Sequence, residues 1–358
     1  RLECGAPCTR QQLAPRNVVA PRVMPMAKRR CLSTSWLLVC TALVAHALVV
    51  AAAADARQLR VRRAGAASSG GLSAAQLQRC AFEVVMFDTR PLSDEPKFMG
   101  DLMPDQYVSL SAVLNFHYAK KHGYTFSFVH MDEASMRHNF SVPWHRVFYF
   151  ADRLTKDTQV LKASDQCKWY LYLDTDAFVR DASTSLPAFI ADLAARYPIP
   201  EDVGAIFAQE QTHSPEMAFT SHAVNAGVYL VRANAHSRHL FREWSAASAD
   251  DPQLEHQWPA EQGVLTEMRF PGMYYTRLTK KHARLKKHED IVADMALVNM
   301  TEMNSPWGRF VEHVWSGPGS ELCATAFTDA LGDVGTSGPE RFAQLLREAR
   351  KHVVRWAP

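Results

Sequence analysis

The chain has 358 residues, 47% of them hydrophobic and 22% charged. That is room for one large or two small domains with a real core, and it excludes a chain that is disordered or fibrous throughout. Seven Cys in this length are too few for a disulfide-built scaffold. The net charge of +3 conceals an asymmetry, because the first 63 residues hold eleven Lys/Arg against two acids and the remainder is mildly acidic. With no broad basic field for a phosphate backbone, the composition argues against a nucleic-acid partner.

In chain order, the first feature is an uncharged stretch. Trp36 to Ala54 reads WLLVCTALVAHALVVAAAA, interrupted only by Thr41 and His46. About 20 apolar residues span a bilayer, and Lys28, Arg29 and Arg30 just before them keep the N-terminus cytosolic. The expected layout is a basic cytosolic tail over 1–35 and a signal anchor over 36–54, with the rest translocated in a single-pass type II topology. A cleaved signal peptide ending in the small residues Ala51–Ala54 is the rival reading and gives a secreted protein. The sequons Asn139-Phe-Ser141 and Asn299-Met-Thr301 fit both readings. Beyond the apolar run only Cys80, Cys167 and Cys323 remain, which allows one disulfide and a spare, or none. Residues 55–79, rich in Ala, Arg, Gly and Ser without apolar periodicity, read as a stem linker ahead of a main domain over 80–335.

Phe82–Asp88 is an apolar run of β formers that ends at Asp88-Thr89-Arg90-Pro91, a strand followed by a loop. Gln106 to His122 carries helical spacing and stops at Gly123, and Tyr124–Val129 reads as a second strand. A strand–helix–strand unit of this length implies a right-handed parallel crossover. A helix from Val142-Pro143 to about Leu161 follows, then strands at Lys168–Leu173, Val203–Ala208 and Ala226–Val231. Helices are expected over Ser185–Arg196, Arg238–Ala247 and Pro259–Glu267, and a C-terminal amphipathic helix over Pro339–Val354 within residues 336–358. The alternation predicts an α/β fold, a mostly parallel sheet with helices on both faces.

The chemistry concentrates at Trp169-Tyr170-Leu171-Tyr172-Leu173-Asp174-Thr175-Asp176. An apolar strand delivers two carboxylates to its C-terminal end, where open α/β sheets place their ligands. Such a pair can converge on one hard cation, and Mn²⁺ or Mg²⁺ is held by one or two carboxylates plus the phosphate oxygens of a substrate. A bare Asp-x-Asp is common in turns, so the strand ahead of it is what gives it weight. Val224-Asn225-Ala226-Gly227 feeds another strand; the Asn225 amide suits sugar hydroxyls, and Gly227 permits close backbone approach. Alone, this is as readily a turn into a core strand. Glu261-Gln262 opens a helix, where Glu261 also suits the positive end of the helix dipole. His313 offers an imidazole as third ligand of a Mn²⁺-type site, and Gly317 and Gly319 after it suit a loop around a diphosphate.

Tyr118-Ala119-Lys120-Lys121-His122-Gly123-Tyr124, Trp144-His145-Arg146, Leu173-Asp174-Thr175-Asp176-Ala177, Asn225-Ala226-Gly227-Val228, Glu261-Gln262 and the late His313 together resemble the galactomannan galactosyltransferase and xyloglucan xylosyltransferase family, over roughly Phe82 to Ser320. The resemblance implies a GT-A fold, a Rossmann-like mixed sheet, and retaining transfer from a nucleoside diphosphate sugar by a Golgi-resident type II membrane protein. It implies Mn²⁺ (or Mg²⁺) on Asp174, Asp176 and His313. It places Arg146, where the family has Lys, near the diphosphate, and the Asp88 region near the nucleoside. Asn225 and Gly227 would line the sugar pocket, with Glu261 and Gln262 beside the anomeric carbon. The family's Asp-Gln is Glu-Gln here, and the spacing after the late His is one residue longer. The expected function is a metal-dependent glycosyltransferase acting on a glycan hydroxyl. The alternative is an inactive lectin-like or scaffold protein on the same fold. A two-metal hydrolase would need further Asp/His ligand motifs, which the sequence does not contain.

Overall fold

The computed structural model describes residues 72–93, 104–136, 140–164, 166–210, 223–248, 260–270, 291, 293–314, 326–327, 329–332 and 339–357. The anchor over 36–54, most of the expected stem, the first sequon's Asn139 and the glycine loop after His313 lie outside them. Among the described residues no helix is long and apolar enough to cross a membrane.

The elements follow in chain order: α1 (Ala74–Leu77), β1 (Ala81–Asp88), α2 (Pro104–His122), β2 (Thr125–His130), α3 (Val142–Ser164), β3 (Lys168–Leu173), β4 (Ala177–Val179), α4 (Leu186–Arg196), β5 (Ala205–Gln209), β6 (Val224–Arg232), α5 (Ala235–Ala247), α6 (Ala260–Arg269), β7 (Met295–Val298), α7 (Met300–Met303), β8 (Val311–His313), α8 (Pro339–Arg350) and β9 (Val353–Arg355). The main sheet runs β7-β5-β6-β3-β1-β2-β9, with β4 and β8 forming a separate two-stranded ribbon. The β3, β1, β2 and β9 strands are mutually parallel, as are β5 and β7, whereas β6 runs antiparallel to both of its neighbours. The fold is therefore the expected mixed, mostly parallel sheet with flanking helices.

Both faces of the sheet are covered, so its strands are apolar along most of their length, with Glu83, Ser127 and Asn225 as buried polar exceptions. In β3, Trp169, Leu171 and Leu173 join one core cluster and Tyr170 and Tyr172 join the other. β1 divides in the same way, with Phe82, Val84 and Met86 against Val85 and Phe87. The strand period of two serves two cores at once.

Local chemistry sets the helix boundaries. Ser185 caps α4, its hydroxyl accepting the amide of Ala188, and Gly123 at φ 72° ends α2 in the left-handed conformation that favours glycine. Asn234 and Ser237 form a reciprocal cap that starts α5 three residues before the position expected from apolar spacing.

Two expectations need correction. The last residues of the expected stem are built into the domain: Ser73 caps α1, and Leu72 and Leu77 are buried. The expected single helix to Val354 stops at Arg350. After a turn at Lys351-His352, the β-branched pair Val353-Val354 continues the sheet beside β2, Phe128 pairing with Val353. The open cysteine question is settled in favour of Cys80–Cys167, which joins the starts of the adjacent strands β1 and β3.

Candidate active site

The C-terminal ends of β1 and β3 lie side by side, and the site is built there. Leaving β3, the chain turns through Asp174-Thr175-Asp176 into β4. The turn is pinned by the Asp174 amide donating to the Gly227 carbonyl at 2.7 Å and the Ala177 amide donating to the Asp174 carbonyl at 3.0 Å. β4 then pairs antiparallel with β8, Ala177 opposite His313. The Val314 amide donates to the Asp176 carbonyl at 2.9 Å and completes the ribbon. This short ribbon brings His313 to an acid 137 positions earlier, with its Nε2 3.1 Å from Asp176 Oδ1.

Asp174, Asp176 and His313 each place one ligand atom within 4.8 Å of the others. The donor set of two carboxylate oxygens and one imidazole nitrogen fits Mn²⁺ or a similar divalent ion. The surroundings fit as well. The Asp174 and Asp176 side chains are 28% and 30% exposed and His313 only 4%, so both acids are open to solvent while the imidazole is buried behind them. Burial alone would raise the Asp176 carboxyl, but the His313 imidazole beside it holds it below the usual carboxylate range. Burial would lower the His313 imidazole, but Asp176, by charge and hydrogen bond, with Asp174 and Glu210 farther off, holds it above its usual range. His313 Nδ1 lies 2.7 Å from Asn304 Oδ1 on its other side.

Gly227 is the floor of this cluster. A Cβ there would lie 2.3 Å from His313 Cε1 and 2.8 Å from Asp174 Oδ2. The close approach expected at this glycine is therefore that of the two candidate ligands themselves.

Arg146, on the first turns of α3, is 6% exposed and lies behind Asp174. One terminal nitrogen donates to Asp174 Oδ1 and the other to Glu261 Oε1, and its guanidinium sits 5.4 Å from the centre of the Tyr172 ring. The Tyr172 hydroxyl also donates to Asp174 Oδ1, at 2.6 Å. One oxygen of Asp174 is thus held from behind while the other faces Gly227 and His313. Two carboxylates against a buried guanidinium keep Arg146 charged, its affinity for the proton well above the ordinary arginine value despite burial. Burial raises the Glu261 carboxyl even with Arg146 beside it.

The remaining predicted residues gather around a group that motif reading passes over. Glu210, just past β5, accepts from Asn225 Nδ2 at 2.7 Å and from Gln262 Nε2 at 2.8 Å. The two amide oxygens turn the other way, that of Asn225 accepting the Gly227 amide and that of Gln262 the Ala226 amide. Asp88, 5% exposed, closes the opposite side: it pairs with Arg90 and accepts from Thr175 Oγ1 at 2.9 Å, tying the end of β1 to the acidic loop. Arg90 in turn donates to the Tyr107 hydroxyl at 2.7 Å.

Nine of the residues singled out from the sequence therefore sit in one connected assembly at the C-terminal ends of the strands, while Gly317 and Gly319 lie outside the described residues. Glu210, Asn304, Tyr172 and Thr175 belong to it and were missed. Glu210 could have been found from its place at a strand end; nothing in the sequence marks Asn304.

The profile of the galactosyl transferase GMA12/MNN10 family matches residues 105–307. No curated protein matches the chain. Among solved structures, a glycosyltransferase involved in the glycosylation of the major capsid of PBCV-1 superposes with a TM-score of 0.43 at 12% identity, covering 70% of this chain and 98% of that one. The profile spans more than half of the sequence and contains the acidic pair, Arg146, Asn225, Gly227 and Glu261-Gln262, with only His313 of the candidate ligands beyond it. The chain belongs to the galactosyl transferase GMA12/MNN10 family and is a glycosyltransferase built on a mixed, mostly parallel sheet with flanking helices.

Proposed function

We propose that the protein transfers a sugar from a nucleoside diphosphate sugar to a hydroxyl of a glycan, with Mn²⁺ or Mg²⁺ held by Asp174, Asp176 and His313. The observation that carries this reading is the convergence of those three side chains, from two separate elements, on one point at the C-terminal edge of the sheet. Bound there, the cation supplies positive charge to neutralise the diphosphate as it leaves.

The chain's own residues do the rest. Tyr172 and Arg146 hold one oxygen of Asp174 and so orient the other. Arg146 adds a permanent positive charge beside the phosphates, and Glu261 fixes that charge in place as its second partner. Each amide of Asn225 and Gln262 has two N–H donors, of which Glu210 takes one, and the other serves a sugar hydroxyl or the leaving oxygen near the anomeric carbon. Asp88, locked by Arg90, shapes the nucleoside end. Retention of anomeric configuration follows from the family resemblance. A Golgi lumenal setting with an N-terminal membrane anchor is supported by the charge-flanked apolar run and by the Cys80–Cys167 disulfide, a bond that persists in oxidising compartments.

The test is a panel of UDP- and GDP-sugars with the purified chain, with and without Mn²⁺. Metal-dependent donor hydrolysis and transfer are expected, both abolished in Asp176→Ala while circular dichroism and the melting temperature show a folded protein. Unchanged turnover in that variant removes the metal from the reading. Nucleotide-sugar binding with no turnover under any metal replaces it with the lectin-like alternative.

A further inference from the structure

The buried Asn304 stands at the C-terminal end of α7, outside every motif, and is fully excluded from solvent. Its amide nitrogen donates to the Gln209 carbonyl at 3.0 Å. A carbonyl only accepts, so the amide has one possible orientation, with its oxygen toward His313. That oxygen lies 2.7 Å from His313 Nδ1 and likewise only accepts. The proton of the His313 ring must therefore sit on Nδ1. In the neutral ring, the form that binds a cation, the lone pair is then left on Nε2, the nitrogen that faces Asp176.

We propose that Asn304 is a positioning residue that fixes the tautomer and the plane of the His313 ring, so that Nε2 is presented to the cation. The inference rests on the metal reading above and adds to it a residue that touches neither metal nor substrate. Histidines that bind metals commonly donate their other ring N–H to an oxygen acceptor, which orients the ring and raises its basicity. The backbone around Asn304 is equally constrained. Its own amide donates to the Met300 carbonyl at 2.8 Å, and the next carbonyl, that of Ser305, accepts the His313 amide at 3.1 Å. The side chain and the main chain of His313 are thus referenced to the same short segment. Through Gln209 that segment is fixed to the end of β5, one residue before Glu210, which sets the amides of the donor pocket. Asn304 therefore joins the metal side of the site to the sugar side.

The test measures Mn²⁺ alone binding to the full chain by titration calorimetry and electron paramagnetic resonance, without donor. Wild type is compared with Asn304→Leu and Asn304→Asp. Loss of the acceptor in Asn304→Leu is expected to weaken Mn²⁺ by about 10–100-fold, the range for removing such a support. Asn304→Asp keeps an oxygen acceptor toward Nδ1 while losing the donation to Gln209, and is expected to bind Mn²⁺ clearly more tightly than Asn304→Leu. A merely structural asparagine would not be rescued in this way. As a readout independent of folding in the variants, ¹⁵N-labelled histidine spectra of the wild type, at a pH where the ring is neutral, are expected to show His313 protonated on Nδ1. A proton on Nε2, or equal Mn²⁺ affinity in wild type and folded Asn304→Leu, overturns the proposal. Failure of wild type itself to bind Mn²⁺ overturns the metal reading instead, so the two failures are distinguishable.

Discussion

The sharpest consequence of the site's geometry falls on Gly227. An alanine methyl there would lie 2.3 Å from His313 Cε1, where ordinary contact begins at 3.4 Å, and 2.8 Å from Asp174 Oδ2. Both must give way, the imidazole by roughly 1 Å and the carboxylate by roughly 0.6 Å. His313 is backed by Asn304 and the ribbon, and Asp174 by Tyr172 and Arg146, so neither yields freely. Overpacking of this kind costs about 1–3 kcal/mol in stability. Displacing a ligand should cost the metal more than it costs the fold, with Mn²⁺ affinity falling at least about 10–100-fold, the loss expected for a disturbed supporting contact. Gly123→Ala is the control. Gly123 has φ 72°, and a methyl added there would meet nothing within 4 Å, so alanine feels only backbone strain, about 1–2 kcal/mol, and metal affinity is untouched. Melting curves and Mn²⁺ titrations of both variants separate the effects. Equal Mn²⁺ affinity in Gly227→Ala and wild type would refute the argument that this glycine exists for the ligands.

Arg146→Met removes the only positive charge that the described structure places between Asp174 and Glu261, and a stability loss of about 3–5 kcal/mol is expected by chemical denaturation at neutral pH. Second-site Glu261→Gln should recover part of it; no recovery would mean that the two carboxylates do not share the arginine. Glu302 is held at about 2, its burial outweighed by hydrogen bonds from Arg196, Tyr197 and Arg309. A depressed carboxyl contributes stability that is fully present above its unfolded value and is lost as pH falls toward 2, here of order 1–2 kcal/mol after solvent screening. Glu302→Gln should flatten that part of the acid limb in pH-dependent melting, and an unchanged limb would contradict the assignment. Replacing Cys80 and Cys167 together by Ser opens a link across 87 positions, and about 2–4 kcal/mol of stability should be lost with Mn²⁺ affinity intact, because the bond lies at the opposite ends of β1 and β3 from the site.

The sequence carried the parts of this site that depend on residue type and strand direction. An apolar strand ending in two aspartates is legible in β3 because Lys168–Leu173 holds no acid, so Asp174 and Asp176 mark its end, whereas β1 carries the buried Glu83 inside the strand. Gly227 was legible as a close approach, though not what approaches it. Convergence was legible only through the family resemblance and not in the pattern of the residues. His313 reaches the acids through strands of three residues each, too short to leave a periodic pattern. The antiparallel direction of β6 is invisible in its residues, since a fully buried strand looks alike either way. The C-terminal segment misled because Val353-Val354 continue an amphipathic spacing that the turn at Lys351-His352 breaks. Glu210 and Asn304 escaped because each acts by orienting a neighbour, a role fixed by partners far away in the chain.

A ribbon of three residues a side cannot stand by itself in water. The β4–β8 pair persists because of what lies under it: Phe178, Val179 and Val311 are buried with Phe310, which stacks on Phe189 of α4 at 3.9 Å between ring centres. The coordination geometry is thus levelled from below by an oily foundation that contains no ligand. Small changes of volume in that layer, such as Phe189→Leu or Val311→Ile, become a way to tilt the imidazole by fractions of an ångström without altering any group that meets the substrate.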